Sequence, residues 1–244
     1  MTTSDLVDEV TSRRSHAGGS RIAPHRHDRH QLIYPSSGII AVTTDAGTWV
    51  TPPDRAIWIP AFANHGHRFY GRTEFHCVAI NPALDPFNSD GPVVVAVTPL
   101  LRELIIECSL PATRPDEETS RLVAVLVDRL RRSPDAALRL PVARDPRLAN
   151  ACAIVVDDLS RVHSLAELGH MVGAGERTLS RLFRNEFGMT YPQWRTQARL
   201  HRALIALAEG RTVTDVATVC GWATPSAFID VYRRAFSHSP GARA

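Results

Sequence analysis

Three arginines, Arg177, Arg181 and Arg184, recur at spacings of four and three residues, with Ser180 between the first two. On a helix these positions share one face. A guanidinium fork matches the O6 and N7 acceptors of guanine and the oxygens of phosphate, so such a face has the chemistry of a nucleic-acid reading helix. The competing reading is a solvated surface whose arginines pair with Glu176 and Glu186. A second chemically able set lies in the other half of the chain. His25 and His27 are one residue apart, which on a strand turns both rings to one side, and seven of the 11 histidines precede residue 77.

The elements that must position the arginines can be read locally. Ser164 with Glu167 three residues on fits a capping box, and Leu165, Leu168 and Val172 mark one apolar face. Gly173, Ala174 and Gly175 make a short turn. Leu179, Leu182, Phe183 and Phe187 then fall at i, i+3, i+4 and i+8, which leaves the arginines outward. The layout returns further on. Val213, Val216, Ala217 and Cys220 face inward, Pro225 suits a first helical turn, and Phe228, Val231, Tyr232 and Phe236 continue the core. Helices are expected over 147–160, 164–172, 176–187, 192–209, 213–220 and 225–236. The long helix between the two layouts would span about 27 Å, a separation suited to successive major grooves about 34 Å apart.

The histidine-rich half reads differently. QLIY, GIIAVTT, TWVT, AIWI, HRFY and FHCVAI are short β-branched and aromatic runs, broken by turn signals at 35–38, 45–47, 52–55 and 61–64. That spacing points to an all-β sandwich or barrel over 31–80. Leu100, Leu101, Leu104 and Ile105, then Leu122, Val125, Leu126 and Leu130, predict two amphipathic helices between 98 and 132, the second with an acidic start at 116–118. The proline-bearing stretch 131–145 reads as a linker.

Composition narrows the functions. All 28 basic residues are Arg, and without Lys there is no P-loop lysine, Schiff base or pyridoxal-phosphate anchor. Residues 1–144 hold 16 Arg and 16 acidic groups, whereas 145–244 hold 12 and 9, so the whole net charge of +3 lies in the last hundred residues. Cys77, Cys108, Cys152 and Cys220 stand far apart, the pattern of reduced thiols in a cytoplasm. MTTSDLVDEV lacks the apolar stretch of a secretory signal, and VVVAV at 93–97 is far too short to cross a membrane.

LAELGHMVGAGERTLSRLFRNEFGMT, WRTQARLHRALIALAEG and VTDVATVCGWATPSAFIDVYRRAFSHSP together resemble the paired helix-turn-helix domain of AraC-family transcription regulators, over about Leu165 to Pro240. The resemblance implies double-stranded DNA as partner. It sets Arg177, Ser180 and Arg181 against bases, with Arg184 on the same face. In the second unit Pro225, Ser226, Ile229 and Asp230 match, and Arg233 and Arg234 fall where phosphates would be met. Two residues depart from the family: Asp230 stands in place of a basic or neutral side chain, and Ser237 in place of Gly.

The order His25-x-His27-x-x-x-Gln31, then Pro60-x-x-x-x-His65, resembles the two metal-binding motifs of the cupin barrel, over roughly 20–85. By that resemblance His25, His27 and His65 are metal ligands and Gln31 replaces a glutamate, for Zn, Ni, Cu or Fe(II). Phe62 stands where cupins carry Gly, and His30 and His67 are outer-shell or alternate groups. A metal-free pocket is the competing reading. The expected whole is an α+β multidomain chain: a cupin-like β-barrel at 1–92, a helical dimerisation region and linker at 93–144, and an all-α double helix-turn-helix domain at 145–244. Leu101, Ile105, Leu122 and Leu126 would form the dimer contact or, equally, pack on the barrel. The expected function is a cytoplasmic, homodimeric DNA-binding regulator controlled by a small molecule or metal ion. The alternative is a metal-dependent cupin enzyme with a DNA-binding tail; against it, Gln31 removes the usual carboxylate, and a lone Glu74 near His76 makes no full acid-base constellation.

Overall fold

Leu32 and Tyr34, Ala56 and Trp58, and Val78 and Ile80 serve one hydrophobic core, while Ile33, Ile57, Ile59 and Cys77 serve another. Alternation into two cores explains why these strands read as unbroken apolar runs. The computed structural model describes residues 11–110, 116–133 and 139–240, so the N-terminal stretch 1–10 and part of the expected linker lie outside the described residues. The chain forms two compact units that divide between Ala137 and Leu138.

Unit 1 contains β1 (Ser12–His16), β2 (Arg21–His25), β3 (His30–Thr44), β4 (Gly47–Thr51), β5 (Arg55–Ile59), β6 (His65–Ile80), β7 (Val93–Ala96), α1 (Pro99–Cys108) and α2 (Asp116–Leu130). The long strands β3 and β6 pair antiparallel down the middle. β1 and β2 join the outer side of β6, β4 and β5 join β3, and β7 joins β5. Among the described residues the path is branched and does not close into a ring. β1, β2 and β7 go beyond the strands expected from sequence.

The turn expected at 35–38 is instead a bulge within one strand, where the β3–β6 register shifts between Pro35 and Ile39. Gly38 makes it possible: its φ is 73°, and a Cβ there would lie 2.4 Å from Thr73 Oγ1 and 2.6 Å from the Arg72 carbonyl. The expected HRFY and FHCVAI strands are likewise one strand, bent at Gly71 with φ 67°.

α1 and α2 lie on the first core. Leu101, Ile105 and Leu126 are fully buried there and Leu122 packs partly against it. The apolar stripe weighed as a dimer contact therefore faces the chain's own sheet. β7 and both helices belong to unit 1 and share its first core.

Unit 2 contains the short extended β8 (Arg139–Pro141), then α3 (Pro146–Asp157), α4 (Leu165–Met171), α5 (Glu176–Phe187), α6 (Tyr191–Ala208), α7 (Val213–Val219) and α8 (Pro225–Phe236). Each expected helix is present to within three residues. Asp145 caps α3, with Pro146 at its first turn. Ser164 and Glu167 form the expected capping box, and Thr190 with Gln193 forms a second on α6. Leu148, Ala151, Leu168, Leu179, Phe183 and Trp194 build the core around α3 to α6.

Candidate functional sites

α4 and α5 are joined by a turn at Gly173, whose φ is 67°, closed by an Ala174 N–H bond to the Gly169 carbonyl at 2.8 Å. A Cβ on Gly169 would stand 2.3 Å from the Ala174 carbonyl, so only glycine lets this turn come so near the helix. Leu179 and Phe183 point into the core and turn the opposite face of α5 to solvent. Arg177, Arg181 and Arg184 are exposed on it and Ser180 is half-buried. With Thr178 and Asn185 these four line a concave patch of about 490 Å³.

The suspected pairing of these arginines with Glu176 and Glu186 does not occur: among the described residues no ion pair engages Arg177, Arg181 or Arg184. Glu186 instead accepts the backbone N–H groups of Arg144, at 2.7 Å, and Asp145, at 3.2 Å. Three guanidinium groups are thus left with their donors free for phosphate or guanine oxygens.

The second unit repeats this frame. Thr212 caps α7, Gly221 turns with φ 74°, and Trp222 N–H bonds the Ala217 carbonyl at 2.8 Å. Thr224 caps α8 with its hydroxyl on the Ala227 N–H, and Phe228, Tyr232 and Phe236 fill the core. Pro225, Ser226, Asp230, Arg233 and Arg234 are exposed, and Ile229 is half-buried. Ser237, in place of the family glycine, ends α8 in the left-handed conformation with φ 62°, as Gly188 ends α5 with φ 68°.

In unit 1, sheet register brings the histidines together. His25 on β2 pairs directly with His65 on β6, and His27 follows β2. The ring centroids of His25 and His27 lie 4.4 and 4.9 Å from that of His65. One ligand atom from each of the three lies within 4.8 Å of the others. Each Nδ1 lies 2.9 Å from a nearby backbone carbonyl: His25 on Ala23, His27 on Arg29, His65 on Ala63. A carbonyl only accepts, so the neutral tautomer that fits each ring has its proton on Nδ1 and its lone pair on Nε2.

Burial pushes the His65 pKa down to about 4 and also lowers that of His27, so both rings are neutral at neutral pH. The Nε2 of His27 is buried and makes no well-formed hydrogen bond, with the Gln31 side chain beside it. The Nε2 of His65 lies 3.0 Å from Gln31 Oε1, which sets a lone pair against a carbonyl oxygen. Rotating the amide so that its NH₂ donates relieves this contact, and so does a cation shared by both atoms.

His30 is a structural pin. Its Nδ1 accepts the Ala61 N–H at 3.0 Å and its Nε2 donates to the Pro82 carbonyl at 3.3 Å. His67, buried with its pKa well below the usual value, packs 5.2 Å from His65. Phe62 is 68% exposed, has φ 64°, and donates its N–H to the His27 carbonyl at 2.8 Å. His76, weighed with Glu74, is held between the hydroxyls of Ser109 and Ser36, while Glu74 takes the Ser15 hydroxyl. Trp49 and Phe69 belong to one core and Trp58 to the other. Burial raises all four cysteine thiols, Cys77 up to about 12. No helix among the described residues is long and apolar enough to cross a membrane.

A family model described as a helix-turn-helix domain matches residues 168–243. The chain is 30% identical over 230 residues to the HTH-type transcriptional regulator NimR of Escherichia coli, a match covering 93% of this chain and 84% of NimR. It is 31% identical over 121 residues to the HTH-type transcriptional activator RhaR of Pectobacterium atrosepticum, covering 49% of this chain and 42% of RhaR. Among solved structures, ToxT of Vibrio cholerae aligns over 94% of this chain and 96% of its own, at 10% identity and a TM-score of 0.41.

Proposed function

The chain belongs to the AraC-type helix-turn-helix transcriptional regulators, and we propose that it reads a specific DNA sequence under the control of a divalent transition-metal ion held in a cupin-like pocket of unit 1. The ligands are His25, His27 and His65, with Gln31 as a neutral fourth. What carries the reading is the set of three Nδ1 groups tied to backbone carbonyls, which leaves three Nε2 lone pairs in one small space. The orphaned Nε2 of His27 fits an ion better than an empty polar pocket. Rings whose centroids lie 4.4–5.9 Å apart leave room for an ion rather than an organic molecule among them.

When bound, the ion supplies positive charge and a Lewis-acid position for water or an anionic ligand. The chain's own part is to hold Nε2 unprotonated and to bring the β2 and β6 ligands together. Control follows if the ion binds more tightly to the DNA-competent population than to the rest.

At the DNA, Arg177, Ser180, Arg181 and Arg184 of α5 supply most of the base reading. Pro225, Ser226, Ile229 and Asp230 of α8 supply less, and Arg233 and Arg234 meet phosphates. The test is calorimetric titration of the full chain with Zn(II), Ni(II) and Cu(II), paired with DNA titrations in the presence and absence of the ion that binds. One ion per chain, lost in His65→Ala, together with at least a fivefold change in DNA affinity is the expected result. No binding by any of the three, or binding unchanged in His65→Ala, rejects it.

A further inference from the structure

The two reading helices are useful as a pair only if something fixes their separation and rotation. α6 connects the two helix-turn-helix motifs and packs against α5 of the first and α7 of the second. Tyr191, Trp194 and Ala198 serve the first core. Leu200, Ala203, Leu204, Ile205 and Ala206 are buried further along. Two half-buried arginines stand four residues apart and so on one side of the helix: Arg195, within the first stretch, and Arg199, where it gives way to the second.

Arg195 reaches the loop that precedes α4. Its Nη2 donates to the Leu159 carbonyl at 2.9 Å and to the Arg161 carbonyl at 3.1 Å. Arg199 reaches the turn of the second unit. Its Nε donates to the Cys220 carbonyl at 2.6 Å and its guanidinium lies 4.0 Å above the centre of the Trp222 ring. Cys220 caps the C-terminus of α7, where carbonyls lack helical partners and carry partial negative charge. The two gripped segments also meet each other, since a Cβ on Gly221 would lie 2.4 Å from the Leu159 carbonyl and 2.8 Å from Ser160 Cα. The Leu159 carbonyl is therefore at once the acceptor for Arg195 and the surface on which the second turn rests.

We propose that Arg195 and Arg199 are positioning residues for DNA reading: they clamp the loop before the first helix-turn-helix and the turn of the second to one helix, and so set the spacing between α5 and α8. Neither side chain needs to touch DNA. Charge-assisted bonds to backbone carbonyls suit this role because they hold main chain directly, whatever side chains the loops carry. The planar guanidinium both donates and stacks on Trp222, which a lysine ammonium does not reproduce.

The test uses the full chain and a duplex selected for wild-type binding from a randomised library, together with versions that have one base pair added or removed between the two contacted elements. The wild type is expected to lose at least tenfold in affinity on either change. Arg195→Ala/Arg199→Ala is expected to bind the parent duplex about tenfold more weakly and to distinguish the three spacings by less than threefold. Circular dichroism and thermal melting verify its fold. Should the double variant fail to fold, Arg199→Lys, which keeps the charge but loses the stacked fork, is expected to show at least half of the loss in spacing discrimination. Spacing discrimination equal to the wild type in a folded variant overturns the proposal, and so does a wild type indifferent to spacing.

Discussion

The two helix-turn-helix units share one frame and differ in what they place on it. α4 and α7 start from hydroxyl caps at Ser164 and Thr212. Both turns pass through a left-handed glycine and close with the same 2.8 Å backbone bond, and α5 and α8 have the same length. The outward faces diverge: three unpaired arginines on α5, against Asp230 between Ser226 and the Arg233–Arg234 pair on α8. The frame is fixed by backbone geometry and apolar packing, which exposed residues barely touch. Reading chemistry is therefore free to differ between units while the scaffold stays the same.

The strongest way to break this comparison is at the paired glycines. Gly221 presses on Leu159 and Ser160, whereas nothing lies within 4 Å of a Cβ at Gly173. Gly221→Ala is expected to cost about 3 kcal/mol from overpacking plus left-handed strain, and Gly173→Ala about 1 kcal/mol from strain alone. Urea unfolding of both variants measures the difference, and equal losses would mean that the second turn does not bear on the loop before α4.

Next come the reading faces. Arg181→Ala is expected to cost about 1–3 kcal/mol of specific DNA affinity. Asp230→Asn is expected to gain about 1 kcal/mol, because repulsion between its charge and the polyanion outweighs its small share of base reading. Titrations at one fixed salt concentration compare them, and a loss at Asp230 would mean that its base contact outweighs that repulsion.

A smaller effect of opposite sign belongs to the helix ends. Ser237→Gly is expected to stabilise by about 1 kcal/mol and Gly188→Ser to destabilise by a similar amount, since both positions are left-handed. Thermal melts that shift in the same direction would contradict this. The smallest change concerns Gly175, which caps α5 without a side-chain bond where Thr224 supplies one to α8. Gly175→Ser should add a few tenths of a kcal/mol (about 0.3) by the same cap.

Unit 2 was largely legible because its punctuation is local. Ser164 with Glu167, Pro225 and the glycines act within one turn of where they stand. Unit 1 was less so, because strands such as Ser12–His16 and Arg21–His25 carry little apolar alternation and exist through pairing with β6. The bulge at Gly38 depends on Thr73, 35 residues away, and so passed for a turn. The His25–His65 meeting was reached by resemblance rather than by spacing, as register is not local either. Arg195 and Arg199 are not legible for another reason: their acceptors are main-chain carbonyls, which leave no trace in residue type.

The carboxylate of Glu186 holds the N–H groups of Arg144 and Asp145, and Asp145 caps α3. In mechanical terms this is a tether. The chain that enters unit 2 packs Leu140 and Ala143 against the hydrophobic core and is then fastened at Arg144 and Asp145 to the arginine-bearing α5. Load carried along the chain to Arg144 is thus shared between that core and the C-terminal end of α5, the helix with the denser arginine face.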